Sequence, residues 1–132
     1  MIRGHCLCGR VAYELRGEPR EMYYCHCSMC RRATGSTFAT NMLALARDFV
    51  IVAGRAHLKA YESSPGEHRH FCAECGSPVY GEALARPGLV SIRCGTVDGD
   101  PGARPASHLH TASMAPWFAI RDEVRQFPGE PT

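Results

Sequence analysis

Eight cysteines in a chain of 132 residues are the feature that most constrains this sequence, because seven of them fall in tight clusters. The clusters are Cys6-x-Cys8, Cys25-x-Cys27-x-x-Cys30 and Cys72-x-x-Cys75. Disulfides usually join distant segments in an oxidising compartment, and the first residues of this chain show no apolar export signal. We therefore predict metal sites in a cytoplasmic protein, whereas the isolated Cys94 is expected to be a small buried hydrophobe.

The first and last clusters predict one closed zinc site. Cys6 and Cys8 point to the same side of an extended segment, and Cys72 and Cys75 form a knuckle followed by Gly76. Two such pairs supply four thiolates, which complete a tetrahedral zinc site with Zn–S distances of about 2.3 Å. This zinc would be structural and would join the N-terminal segment to the middle of the chain. Iron or an iron–sulfur cluster is the alternative for the same ligands.

The middle cluster offers only three sulfurs, from Cys25, Cys27 and Cys30. Three protein ligands with one open position are typical of a reactive zinc, which would hold an entering thiol as its thiolate. The alternative is a second structural zinc, whose fourth ligand would be a water molecule or one of His5, His26 and Cys94. The sequence thus predicts two zinc ions per chain, one structural and one catalytic or labile.

Short apolar segments separated by Gly-rich and Pro-rich breaks predict a single all-β domain over residues 1–127, with a frayed tail over 128–132. The expected strands are residues 11–15, 21–25, 36–43, 56–61, 68–71, 77–80, 88–94 and 115–120. A helical turn is expected over 28–35, with Ser28 as its N-cap and Gly35 at its end, and a second turn over 122–127.

Charge and hydropathy narrow the range of partners. The net charge is +2 and the basic residues are scattered, which argues against a nucleic-acid interface. The apolar runs are far too short to cross a bilayer, so we expect no membrane partner.

Five segments in order carry a recognisable pattern. They are residues 4–11 (GHCLCGRV), 25–31 (CHCSMCR), 71–77 (FCAECGS), 95–98 (GTVD) and the two histidines at 108 and 110 with residues 113–117. Together they resemble the glutathione-dependent formaldehyde-activating enzyme family, which shares its domain with centromere protein V. The resemblance extends over residues 2–120.

The resemblance implies the β-tent fold, which is built of twisted antiparallel sheets. It also implies a structural zinc on the four outer cysteines and a catalytic zinc on Cys25, Cys27 and Cys30. The implied activity is that of a carbon–sulfur lyase, which forms or breaks S-hydroxymethylglutathione from glutathione and formaldehyde. The thiol and aldehyde partners of this chain are expected to be that pair or a related one.

His26, Arg31 and His108 are the candidate catalytic residues, and His110 is a further candidate. Histidine titrates near neutral pH and is able to protonate the oxygen of a hemithioacetal. Arg31, with Arg32, is placed to offset the negative charge of a three-thiolate zinc or to pair with a substrate carboxylate. The alternative function is a non-catalytic, zinc-stapled module that binds a protein or a small ligand.

Overall fold

The computed structural model describes residues 1–131, which form eleven β-strands and one α-helix. The first elements are β1 (Ile2–His5), β2 (Ala12–Leu15), β3 (Met22–Cys25), α1 (Ser28–Thr34), β4 (Ala39–Leu45) and β5 (Phe49–Ala53). They are followed by β6 (Leu58–Ser64), β7 (Glu67–Cys72), β8 (Pro78–Ala83), β9 (Leu89–Arg93), β10 (Pro105–Leu109) and β11 (Arg125–Gln126).

The strands form one small and one large sheet. The small sheet has the order β1-β2-β5, and the large one has the order β11-β10-β3-β4-β9-β8-β7-β6. Strand β10 runs parallel to both of its neighbours, and the other strand pairs are antiparallel. The two open sheets pack against a shared core in the arrangement of the β-tent fold. The predicted all-β fold class is therefore confirmed.

The main core lies between the two sheets and follows from the period-2 alternation of the strands. In β2, Tyr13 and Leu15 are buried while the residues between them are not. From the large sheet, Met42 and Ile92 face them and are fully buried. A second, smaller core surrounds Cys25 and includes Tyr23, Cys30, Ala39 and Leu109. The small core is the part of the fold that positions the middle cysteine cluster.

The helix begins one residue earlier than predicted. The N-cap is Cys27 rather than Ser28, and its sulfur accepts a hydrogen bond from the Cys30 backbone N–H at 3.2 Å. A thiolate or thiol can fill the acceptor role that a serine hydroxyl usually has at this position. The predicted end is confirmed, because Gly35 adopts φ 64° as the C-cap.

One strand prediction and one helical-turn prediction are wrong near the C-terminus. Residues 115–120 are irregular with a turn at 116–117, and residues 122–127 contain β11 rather than a helical turn. Strands β1, β5 and β10 were not predicted. β1 ends at the first cysteine pair, β5 is a continuous apolar run without alternation, and β10 opens with Pro105. The expected frayed tail is instead hydrogen-bonded, because the backbone carbonyl of Gly129 accepts from the His110 N–H at 3.0 Å. Within residues 1–131 no helix is long and apolar enough to span a membrane.

Truncating Ile92 tests the position of the core. Ile92 is fully buried, so Ile92→Ala should lower the free energy of unfolding by about 2–5 kcal/mol through lost burial and a residual cavity. The matched control is Val52→Ala on β5, where 47% of the side chain surface is exposed and the loss should stay below about 1 kcal/mol. Urea unfolding of the zinc-loaded proteins measures both. Equal losses in the two variants would contradict this placement of the core.

Candidate metal centres

The four outer cysteines come together in space. The sulfurs of Cys6, Cys8, Cys72 and Cys75 all lie within 4.8 Å of one another. The sulfur of Cys8 is 3.6 Å from that of Cys6 and 3.8 Å from that of Cys72. A tetrahedron with Zn–S distances of about 2.3 Å has edges of about 3.8 Å, so the spacing fits one zinc ion. The predicted pairing of the first and last clusters is confirmed as a geometric group.

Two tight turns build this site. Cys6 ends the segment after β1, and its carbonyl accepts from the Gly9 N–H at 3.0 Å, with Gly9 at φ 80°. Cys72 ends β7, and its carbonyl accepts from the Gly76 N–H at 2.7 Å, with Gly76 at φ 78°. Both glycines sit in the left-handed region, which other residues adopt only with strain. The turns therefore present their sulfurs from the two different sheets.

Local hydrogen bonds favour the thiolate form at two of these four sulfurs, those of Cys75 and Cys8. Hydrogen bonds from the backbone N–H groups of Ser77 and Cys8 lower the pKa of Cys75 to about 6. The backbone and side chain of Arg10 lower the pKa of Cys8 in the same way. By contrast, burial raises the pKa of Cys72 to about 11. Deprotonation of Cys72 is therefore favoured by a bound cation, which the donor set suits.

The middle cluster forms a separate group of three. Cys25 is the last residue of β3, Cys27 caps α1, and Cys30 lies in the first turn of the helix. Their sulfurs lie within 4.8 Å of one another, and no fourth His, Cys, Asp or Glu ligand atom of residues 1–131 joins them. Of the fourth ligands considered above, His5 pairs with Asp98 at 2.8 Å and Cys94 packs against the main core.

Cys25, Cys27 and Cys30, called the trio below, affect one another's pKa values in opposite directions through their hydrogen bonds. Cys25 and Cys30 donate to the sulfur of Cys27 and hold its pKa far below the usual value. The same contacts raise the pKa of Cys25, and burial raises it further. Arg69 donates to the sulfur of Cys30 at 3.8 Å from strand β7. These contacts favour the thiolate at Cys27, and a bound cation would favour it at Cys25 and Cys30 as well.

The trio borders a cavity of about 350 Å³. Strand alternation places Tyr23 and Cys25 on the cavity side of β3, and Leu109 of β10 pairs beside Cys25. A cavity of this size is large enough for a small ligand. The closed site contributes no residue to the lining that residues 1–131 provide. The arrangement therefore combines one closed four-cysteine group with one three-cysteine group that faces a cavity.

His26 and His108 lie on the opposite side of the sheet from the trio. Both are buried, and His26 packs against the rings of Phe38 and Phe118. The Nε2 atom of His26 is 2.8 Å from Nδ1 of His108, whose Nε2 is 3.0 Å from a carboxylate oxygen of Asp122. They form a buried chain behind the cysteines and are not among the described residues that line the cavity.

The protonation of this chain follows from its contacts. Burial lowers the pKa of His26, so its ring is neutral at pH 7. His108 donates from Nε2 to Asp122 and holds the pKa of that carboxyl below its usual value. Nδ1 of His108 then accepts from Nε2 of His26, which leaves the buried Nδ1 of His26 without a partner among residues 1–131. The catalytic roles of His26 and His108 remain predictions, and this placement favours a positioning role.

Arg31 also lies away from the cavity. It lines a second, shallower depression with Arg32, Thr37 and Trp117. Trp117 donates to the Thr37 hydroxyl at 3.2 Å and is 71% exposed. The role of Arg31 at the trio remains a prediction, while the position beside the sulfurs belongs to Arg69.

His110 is the candidate histidine that does line the cavity. Its φ of 58° is the one positive value at a non-glycine residue among residues 1–131. Its Nε2 is 3.2 Å from the carboxylate of Glu130, and its backbone N–H donates to Gly129. A strained backbone held by several contacts is frequent at functional sites. Residues 129 and 130, assigned to the tail by the sequence, thus help to position a cavity residue.

Other cavity residues were not identified from the sequence, among them Tyr23, Arg69 and Arg93. Tyr23 had a usable signal, because it lies two residues before Cys25 on the same face of one strand. Arg69 and Arg93 had none, since their approach depends on the pairing of β7, β8 and β9.

Comparison with known proteins agrees with this geometry. The model of the family described as glutathione-dependent formaldehyde-activating enzyme matches residues 1–113. The chain belongs to this family. A Halomonas elongata protein that carries the family's name is 32% identical over 142 residues, which cover 99% of this chain and 89% of that protein.

A solved structure also resembles this chain. A Rhodobacter sphaeroides protein is 27% identical, with a TM-score of 0.63, and the match covers 74% of this chain and 89% of that chain. The family membership, the sulfur-only donor sets and the tetrahedral spacing together fit zinc at both groups.

Serine substitutions should separate the two sites of this family member. Cys27→Ser keeps the helix cap, because serine is a preferred N-cap, but it removes one of three ligands. We expect it to leave one zinc per chain and a folded protein. Cys8→Ser should lose the closed site and much of the stability, because binding of a structural zinc contributes directly to folding.

Zinc analysis by mass spectrometry and thermal unfolding measure the two effects. If Cys27→Ser were as unstable as Cys8→Ser, the division into an open and a closed site would be wrong.

Proposed function

We propose that this chain is a zinc-dependent carbon–sulfur lyase that acts on the adduct of a thiol and a small aldehyde. Glutathione and formaldehyde, which the family is named for, are the first pair to test. The observation that carries the proposal is the three-cysteine group beside a cavity of about 350 Å³. We also propose that it works in the cytoplasm, where eight free thiols remain reduced.

The reaction forms one bond and moves one proton. The substrate sulfur adds to the carbonyl carbon of the aldehyde, and the carbonyl oxygen takes up a proton to become a hydroxyl group. The reverse reaction breaks the carbon–sulfur bond and returns that proton. A zinc ion bound by Cys25, Cys27 and Cys30 favours the thiolate form of a sulfur ligand, which is the chemistry that it supplies.

We propose His110 as the group that gives and takes this proton. It lines the same cavity as the trio, and its positive charge, when protonated, favours the thiolate of Cys27. Glu130 accepts from Nε2 of His110 and so directs the other ring nitrogen, Nδ1, to the proton transfer.

Arg69 and the buried histidine chain support the reaction without touching the reacting atoms. Arg69 donates to the sulfur of Cys30 and offsets negative charge at the trio. His26 and His108 fix the segment between β3 and α1 from behind, because the His26 backbone N–H also donates to the Leu109 carbonyl at 2.9 Å. We propose that they position the cysteines.

Substitution of His110 tests the proposed proton transfer. His110→Asn retains a residue type that tolerates positive φ, so the backbone should remain in place. We expect kcat to fall by about 10²- to 10⁴-fold with little change in zinc content. Glutathione-dependent consumption of formaldehyde, followed by steady-state kinetics, measures this effect.

Glu130→Gln is the second variant, and it should lower kcat by a smaller factor because the ring keeps its place but loses its carboxylate. Glu123→Gln removes the same charge from an exposed residue elsewhere and should leave kcat unchanged. Full activity in His110→Asn would contradict the role of His110. Absence of activity with any thiol and aldehyde in the zinc-loaded wild-type protein would instead favour a binding module.

A further inference from the structure

Two arginines reach the cavity from adjacent parts of the large sheet. Arg69 of β7 pairs with Gly81 of β8, which pairs with Ser91 of β9, and Arg93 follows two residues later on the same face. Gly81 makes room for this arrangement, because a Cβ atom there would lie 2.7 Å from Nη2 of Arg93. The sheet therefore holds the Arg93 guanidinium over a residue that has no side chain.

Neither guanidinium has a carboxylate partner within 4.0 Å in the part of the chain that the structure describes. Arg69 donates to the sulfur of Cys30, and Arg93 donates to the Ser91 hydroxyl at 3.2 Å. Three glutamates also line the cavity, but each carboxylate has another partner: Glu67 with Ser64, Glu82 with His70, and Glu130 with His110.

The surroundings favour an anion between the two groups. Burial lowers the pKa of Arg93, and the positive charge of Arg69 lowers it further, so an added negative charge would relieve both effects. A divalent zinc with three thiolates carries one net negative charge, which one guanidinium can offset. Arg69, which donates to Cys30, is the guanidinium placed to offset it, whereas the Arg93 guanidinium donates, within residues 1–131, only to the neutral Ser91 hydroxyl.

A further buried polar group faces the same space. Asn41 lines the cavity and is 2% exposed, and its Oδ1 has no hydrogen-bond partner among residues 1–131. It lies between Tyr23 of β3 and Arg93 of β9 in the strand register. A buried amide oxygen without a donor is costly unless a water or an N–H or O–H group of a ligand fills the site.

We propose that Arg69 and Arg93 form a carboxylate-binding subsite that selects thiol substrates bearing a carboxylate. The inference rests on the proposed function, because it places the carboxylate of the same thiol whose sulfur binds at the trio. Guanidinium groups bind carboxylates with paired, charge-assisted hydrogen bonds, which gives both affinity and orientation. The subsite would hold the substrate by its carboxylate while its sulfur lies at the trio.

Calorimetric binding to the zinc-loaded protein tests this subsite. The probes are N-acetylcysteine and N-acetylcysteine amide, which differ in the carboxylate and share the thiol. We expect the wild-type protein to bind the acid about tenfold to a hundredfold more tightly than the amide. Arg93→Gln should remove most of this preference while the affinity for the amide changes little. Arg69→Gln should also reduce the preference, but with weaker binding of both probes, because Arg69 contacts the Cys30 sulfur as well.

Two further variants serve as controls. Arg47→Gln removes the same charge from an exposed turn between β4 and β5 and should keep the full preference. Gly81→Ala keeps both charges but displaces the Arg93 guanidinium, so it should reduce the preference without loss of zinc.

Equal affinity for both probes in the wild-type protein, or an unchanged preference in Arg93→Gln, would overturn the subsite while leaving the proposed function intact. Failure of both probes to bind would contradict the subsite and the proposed function together.

Discussion

The convergence of four thiolates from two sheets is the constraint on which the rest of the structure depends. The turn after β1 belongs to the small sheet, and the turn after β7 belongs to the large one. A zinc ion bound at both turns would fix the angle between the sheets, because a closed tetrahedral site leaves each turn little freedom. The short strands and the modest core between the sheets would then be stabilised by the metal.

The large sheet carries the cysteine trio on one face and the buried histidines on the other. On β3, Tyr23 and Cys25 face the cavity, whereas Tyr24 faces away and stacks on His108 of β10. Parallel pairing of β3 with β10 brings Leu109 beside Cys25 and His108 beside Tyr24. The alternation of two strands therefore separates the cysteines, which can hold a metal ion and line the cavity, from the histidines on the opposite face.

The sequence allowed the two cysteine groups to be predicted, because cysteine clusters are local signals whose spacing reflects turn geometry. The sequence did not allow most of the residues that line the cavity to be predicted. The sequence placed His26 next to two ligands, yet the strand turns its ring away from them. Arg69, Arg93 and Glu130 approach the trio only through long-range strand pairing and the return of the C-terminal segment, which no local pattern encodes.

X-ray absorption at the zinc edge, with zinc counted per chain, tests the central claim most directly. The account predicts two zinc ions, with four sulfurs around one and three around the other, at Zn–S distances of about 2.3 Å. Addition of glutathione should raise the mean number of sulfurs per zinc towards four. A mean of four sulfurs before any thiol is added, with no change afterwards, would show that the second site is closed and would contradict the account.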